Sequence, residues 1–218
     1  MHTIEIERTE DGSATLYVKE LDEHYHSVKG ALTESNHIFR DCAFLHRSDG
    51  ERLRLLEVGF GTGLNAVVTA MACDAAHPVH YITLEKYPVD GERLAALQYD
   101  SLVDSDLLHK IHIAPWNTAV QITPHFIIEK RHCDYTSDIL PEGIDVVYFD
   151  AFAPEKQPDM WTEEAFERLH GAMNRGGVLT TYCSKGVIRR RLESIGFRVE
   201  RIPGPPGGKR EILRATRL

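Results

Sequence analysis

The chain's 218 residues, 42% of them hydrophobic, set 25 Lys and Arg against 33 Asp and Glu for a formal net charge of −8. That length suits one domain with a sizeable core and the composition is that of a soluble α/β protein, while the negative balance argues against indiscriminate nucleic-acid binding. No apolar stretch approaches a membrane span, Met1–Arg8 lacks the apolar core of a signal peptide, the scattered Cys42, Cys73, Cys133 and Cys183 read as reduced cytoplasmic thiols, and the histidines form no H-E-x-x-H, so no membrane anchor, disulfide frame or metal is expected.

Along the chain, alternation at residues 3–8 and 15–20 around Asp11-Gly12 predicts a β-hairpin. Residues 21–50 are polar and histidine-rich, with a helix expected from about Glu34 to Arg47. Residues 1–50 thus read as an extension of the same domain as a core spanning 51–218. The apolar run Leu53–Val58 leads into Gly59, Gly61 and Gly63, and a helical stretch Leu64–Met71 follows. Glycine at every second position between strand and helix marks a tight turn with free N–H groups beside a ligand. A second strand, Val79–Leu84, ends at Glu85, with a helix over Val89–Leu97. Ile111-His112-Ile113 reads as a short strand broken by Pro115-Trp116, and Phe126–Lys130 as the next clear strand, leading to Cys133-Asp134. Ile144–Phe149 ends in Asp150. A helix capped by Thr162 is expected to run to Met173 and end at Gly176-Gly177. Strand Val178–Cys183, a basic helix Val187–Ile195, strand Phe197–Arg201, the loop Pro203–Gly208 and strand Glu211–Thr216 complete the chain. Alternating strands and helices predict an α/β, Rossmann-like, mostly parallel seven-stranded sheet with an antiparallel C-terminal strand.

The chemistry gathers at strand ends. In such sheets ligands sit beyond the carboxyl ends of the strands, and Glu57, Glu85, Asp134 and Asp150 all fall there. The turn E-x-G-x-G-x-G is neither the dinucleotide G-x-G-x-x-G nor a P-loop. It looks like the first motif of class I methyltransferases, which bind S-adenosylmethionine (SAM). Glu85 stands 22 positions after Gly63, about where an acidic residue bonds ribose hydroxyls in nucleotide-binding α/β folds. Ionised carboxylates accept only, and so suit ribose hydroxyls, an adenine amino group and a methionine ammonium, the last expected to face Glu57. From Lys185 to Leu218 ten Lys and Arg stand against three glutamates, a net +7, leaving −15 on the rest. This is either a docking surface for a polyanion or a solvated helix and hairpin.

Several segments together resemble the tRNA 5-methylaminomethyl-2-thiouridine methyltransferase family, the methyltransferase half of bifunctional MnmC and the stand-alone MnmD type. They are Ser27–Ser35, Glu57–Asn65, Leu84-Glu85-Lys86-Tyr87-Pro88, Asp150-Ala151-Phe152-Ala153-Pro154 with Pro158–Thr162, Tyr182–Gly186 followed by Arg189-Arg190, Gly196-Phe197 and Gly208–Glu211. The D-A-F-A-P…P-D-M-W segment is the most diagnostic. The resemblance implies SAM-dependent methylation of the aminomethyl nitrogen of 5-aminomethyl-2-thiouridine at the tRNA wobble position. It implies cofactor contacts from Glu57, Gly59, Gly61, Gly63, Asn65, Glu85, Lys86 and Asp134. It implies substrate contacts from Phe152, Trp161, Lys185, Arg189, Arg190, Lys209 and Arg210. Asp150 is expected to orient the amine and act as a base, or else to contact SAM or cap its loop. Phe152 and Trp161 are expected either to sandwich a splayed base or to pack in the core, with Tyr25, His26, Ser27 and Glu34 at the entrance. The FAD-dependent oxidase domain of bifunctional members has no counterpart in this chain, so only the final methylation is expected. The stretch Ile111–Lys130 is longer than the family's usual path, which leaves Asp134 open. Rival readings are a SAM-dependent N-methyltransferase or aminopropyltransferase acting on a small cationic amine, and a non-enzymatic nucleotide- or tRNA-binding module.

Overall fold

A computed structural model describes residues 4–47 and 51–218; the first residues of the expected hairpin and the end of the expected extension (48–50) lie outside the described residues. The N-terminal alternation folds as β1 (Ile4–Arg8) antiparallel to β2 (Ala14–Val18), with Ile4 opposite Val18, and β3 (Glu23–His24) adds to β2. Asp11 anchors this hairpin: its carboxylate accepts from Ser13 and Thr9 at the turn and from the N–H and hydroxyl of Thr33. Thr33 belongs to α1 (Ala31–Glu34), which runs straight into a π-helical stretch, Ser35–Leu45. Such stretches are uncommon and favour functional neighbourhoods; this one buries Ile38, Phe39 and Phe44 against the main sheet and leaves Glu34 at its head.

The remaining elements are β4 (Leu53–Val58), α2 (Leu64–Met71), β5 (Val79–Glu85), α3 (Gly91–Ala96), α4 (Ser105–Ile113), β6 (Ala119–Thr123), β7 (Phe126–His132), β8 (Ile144–Phe149), α5 (Glu163–Ala172), β9 (Met173–Thr181), α6 (Gly186–Ile195), β10 (Phe197–Pro203) and β11 (Glu211–Arg217). One eight-stranded sheet runs β10-β11-β9-β8-β4-β5-β7-β6. The pairs among β4, β5, β7, β8 and β9 are parallel, and β11 inserts antiparallel between β9 and β10. β4 lies at the centre, covered on both faces, which is why four of its six residues are aliphatic. Leu53 and Leu55 point to the core under α2, α4 and the π-helical stretch, while Leu56 and Val58 point to the core under α5 and α6. The chain winds outward from β4 through β5 to β7, then returns to the other side of β4 as β8. The switch point therefore falls beside Val58 and Phe149, where such folds bind ligands.

Three local expectations are corrected. Ile111-His112-Ile113 is no strand but the last turn of α4, a helix capped by Asp104, which accepts from the Leu107 N–H, and anchored by buried Leu108 and Ile111. The stretch that followed, hard to read, supplies β6, an eighth strand antiparallel to β7 that extends the expected seven. Helix α5 does start at Thr162, whose hydroxyl accepts from Ala165 N–H, but it ends at Ala172. Gly176-Gly177 instead lies within β9, at an irregularity in its pairing with β8; a Cβ on Gly177 would sit 2.8 Å from the Asn174 carbonyl oxygen.

Candidate active site

The three glycines after β4 all have positive φ, +95° at Gly59, +52° at Gly61 and +77° at Gly63, but they do different work. A Cβ on Gly59 would meet the Asp150 carbonyl at 3.0 Å, and one on Gly61 the Tyr25 ring at 2.9 Å. Both line a cleft over the switch point, with about 770 Å³ of space including what opens to solvent, within the range of small-molecule sites. Gly63 faces away: it caps α2, and a side chain there would strike Phe60 at 2.8 Å and His112 at 3.2 Å.

Glu85, Lys86, Asp134, Asp150 and Phe152 line the same cleft. Glu85 is fixed by two backbone donors, Gly61 N–H at 3.0 Å and Tyr87 N–H at 2.7 Å, one on each oxygen. Each oxygen keeps a lone pair for a ligand hydroxyl. Asp134 accepts from Lys86 Nζ at 2.6 Å and from the N–H and hydroxyl of Thr136. These bonds, the Lys86 contact foremost, hold its carboxyl down at about 2. Asp134 thus reaches the cleft despite the longer path before it.

Two residues expected on the cofactor do not line this cleft. Glu57 is 0% exposed and does not line this cleft: the alternation that sends Leu56 and Val58 to one face sends Glu57 into the other, among Tyr81, Thr83 and Asn65. None of these closes a hydrogen bond on either of its oxygens. Burial pushes its carboxyl up to about 8, and its place inside the core keeps it from the cleft. Asn65, also buried, donates from Nδ2 to Asp150 Oδ2 at 2.8 Å, and so acts on the site through Asp150.

A second cavity, of about 740 Å³ with its open solvent, adjoins the first. Tyr25, His26, Asp150, Ala151 and Phe152 line both, so Asp150 stands at the passage between them. Tyr25 and Phe152 meet edge-to-face there, ring centres 5.1 Å apart. The second chamber is acidic, with Glu23, Glu34 and Asp150, and one cation, Lys209. Glu34 is 7% exposed and accepts from Ser27 N–H at 2.8 Å; burial raises its carboxyl above the usual range. Asp150 is half-buried, and desolvation with the nearby Glu34 pushes its carboxyl up to about 8, against the pull of the Asn65 amide and Lys209. The expected entrance residues Tyr25, His26, Ser27 and Glu34 therefore all line the chamber.

Other substrate expectations divide. Trp161 is 1% exposed and packs on Phe149, ring centres 4.9 Å apart, with its Nε1 donating to the Phe152 carbonyl at 2.8 Å. It supports the Phe152 loop from inside the core and does not sandwich a base; Tyr25 is the aromatic opposite Phe152. Lys185 pairs with Glu155 and Arg189 with Glu193, both at the surface. Arg190 and Arg210 are exposed. Lys209, also exposed as a residue, rests its ammonium over the Tyr182 ring that lines the second chamber.

Sequence reasoning gave no role to Tyr182, whose hydroxyl donates to the Ala151 carbonyl at 2.8 Å, or to Thr62 and His112. Thr62 shares a hydrogen bond with His26 Nε2 at 2.8 Å through its side chain, while its carbonyl accepts from His112 Nε2–H at 3.0 Å. The glycine turn is thus held from the N-terminal extension and from α4. No spacing rule joins residues so far apart, and His112 was read as strand.

Fold and site together define a SAM-dependent methyltransferase. Residues 106–218 match the family model described as S-adenosyl-L-methionine-dependent methyltransferase, and the chain belongs to that family. It is 33% identical over 214 residues to the tRNA 5-methylaminomethyl-2-thiouridine biosynthesis bifunctional protein MnmC of Pseudomonas fluorescens, covering 90% of this chain and 32% of that protein. The chain thus spans about a third of the length of the curated relatives it matches. Among solved structures, MnmC2 from Aquifex aeolicus superposes with a TM-score of 0.77 at 26% identity, covering 99% of this chain and 71% of that one. The resemblance read from the motifs is borne out. Spermidine synthase from Thermotoga maritima, at a TM-score of 0.64 and 17% identity over 99% of this chain and 69% of that one, shares the fold.

Proposed function

We propose that this chain methylates the aminomethyl nitrogen of 5-aminomethyl-2-thiouridine at the wobble position of tRNA, in the cytoplasm. The observation that carries this reading is the meeting of two clefts at Asp150: one built of a glycine turn and strand-end carboxylates, the other a carboxylate-lined chamber. The similarity to MnmC supplies the substrate.

The first cleft fits SAM. Gly59 and Gly61 leave backbone bare where a Cβ would intrude, Glu85 offers free lone pairs to ribose hydroxyls, and Asp134 with Lys86 lies further along the same wall. Bound SAM supplies a sulfonium methyl whose carbon–sulfur bond breaks as the nitrogen–carbon bond forms, the bonding pair staying on sulfur. The chain's residues then have two tasks. Phe152 and Tyr25 flank the passage through which an extruded base reaches the cofactor, aromatic faces being the usual seat for a splayed nucleobase. Asp150, oriented by Asn65, holds the amine and accepts its proton; a carboxyl near 8 is well matched to that exchange at neutral pH. Positioning of this kind supplies several kcal/mol without a covalent intermediate.

The test is incubation of the protein with SAM and tRNA carrying 5-aminomethyl-2-thiouridine, followed by mass spectrometry of the nucleosides. A gain of one methyl on that nucleoside is expected. An unchanged nucleoside alongside methylation of a small amine such as putrescine would favour the small-amine reading instead.

A further inference from the structure

The second chamber presents a difficulty for amine chemistry. When ionised, Glu34 and Asp150 attract an ammonium but also hold it in the protonated form, which has no lone pair to react. A nearby positive charge acts in the opposite sense, and the chamber contains one. Lys209 sits at the end of the loop that joins β10 to β11, and its ammonium rests 3.7 Å from the centre of the Tyr182 ring. It closes no ion pair with a carboxylate among the described residues. The ring face stabilises the cation without neutralising it. The ring itself is fixed by the Tyr182 hydroxyl on the Ala151 carbonyl, next to Asp150.

We propose that Lys209 is a positioning charge of the amine chamber rather than a phosphate contact: it offsets Glu34 and Asp150, so that the substrate ammonium gives up its proton to Asp150 and the amine is neutral at working pH. The proposal rests on the amine-methylating function given above. The groups facing Lys209 are Glu34 from α1, Glu23 from β3, Asp150 beyond β8 and Cys183 beyond β9. His24, Tyr25 and His26 complete the wall. His24 pairs with Glu7, and His26, pushed down to about 4 by burial, is neutral at working pH. Asp150, Glu34 and Glu23 against Lys209 therefore set the field in which the amine titrates. Desolvation lowers the Lys209 ammonium from its usual range, an effect that Glu34 opposes. The proton balance is simple: the ammonium gives one proton to the Asp150 carboxylate, the nitrogen lone pair takes the methyl, and the product ammonium sheds its second proton to solvent.

The experiment is single-turnover methyl transfer from pH 6 to 10, with saturating SAM and tRNA bearing 5-aminomethyl-2-thiouridine, for wild type, Lys209→Met and Lys209→Arg. In wild type the log rate rises with pH and breaks at the amine's apparent pKa. Loss of the charge should move that break upward by about one unit or more, the size of a near-charge effect, and so lower the rate near pH 7 about tenfold. The two rates should converge at high pH, and Lys209→Arg should keep the break in place. Lys209→Gln repeats the test if the Met variant fails to fold. An unmoved break with weaker tRNA binding and a shallower salt dependence would make Lys209 a phosphate contact and overturn the inference. No methylation by wild type would overturn the amine-methylating reading itself, whatever the variants do.

Discussion

At the scale of single residues, two carboxyls, the buried Glu57 and the half-buried Asp150, are both raised to about 8 and should behave differently when replaced. Asp150 touches both clefts. Asp150→Asn keeps the shape and the Asn65 neighbour but removes the proton acceptor, so turnover at saturating substrates should fall by roughly 10²–10⁴-fold. Part of that loss should return at alkaline pH, and SAM affinity measured by calorimetry should change little. Near-normal turnover would remove Asp150 from the chemistry; lost SAM binding with normal turnover at saturation would make it a cofactor ligand. Glu57 lines neither of the two clefts, so its replacement should register in stability. Its carboxyl is raised from an ordinary 4.5 to about 8, so between those values the folded state retains a proton that the unfolded chain releases. Stability therefore falls as pH rises through this window, and levels off above it. Glu57→Gln removes that penalty: by urea unfolding, the variant should gain on wild type by a few kcal/mol between pH 5 and pH 8. An equal pH dependence in both proteins would show that Glu57 ionises freely.

At the scale of elements, the glycine turn is held in part by residues of α4 and β7 that line neither cleft. His112, in the last turn of α4, donates to the Thr62 carbonyl, while its own carbonyl accepts from Lys130 Nζ at 2.8 Å. Lys130 is 1% exposed, lies 5.0 Å from the Trp116 ring centre and 5.4 Å from that of Phe60, and is pushed down to about 8 by desolvation. Phe60 is itself the residue between Gly59 and Gly61. His112→Ala should weaken SAM binding by about tenfold through loss of one hydrogen bond to a buried carbonyl, while single-turnover methyl transfer at saturating SAM stays close to wild type. Unaltered SAM affinity would show that the turn holds its shape without α4. This support was not legible in the sequence. The strands β4, β5 and β8 were, because covered parallel strands read as apolar runs. Ile111-His112-Ile113 misled because three residues fit helix and strand alike, and the burial of Leu108 and Ile111 decides only in context. Strand β6, Ala119–Thr123, is half-exposed at the sheet edge and carries little apolar signal. The strand-end acids were legible as a set, but their directions were not: Glu57 and Asn65 turn inward, and Trp161 enters the core, through packing that spacing does not encode.

At the scale of the whole molecule, an acidic body carries a C-terminal third that is net positive, yet much of that charge is met internally. Lys185 faces Glu155, Arg189 faces Glu193, and Arg201 and Arg214 lie beside Glu211 and Glu200. Arg191 donates to the Trp161 carbonyl and Arg217 to that of Met173. Exposed pairs of this kind are worth at most about 1 kcal/mol, so a polyanion can draw Lys185 and Arg189 away at small cost. Arg190 and Arg210 need no such exchange. If tRNA docks on this face, Arg190→Ala with Arg210→Ala should weaken tRNA binding and reduce the slope of log affinity against log salt by roughly one per lost phosphate contact, about two for the pair. SAM affinity should be unchanged, because neither arginine lines the cofactor cleft. Adding Lys209→Met should leave that slope where the double variant set it, since its ammonium rests over the Tyr182 ring that lines the chamber. Equal slopes for wild type and double variant would move the tRNA surface to another face, and a further drop on adding Lys209→Met would return that lysine to the phosphates.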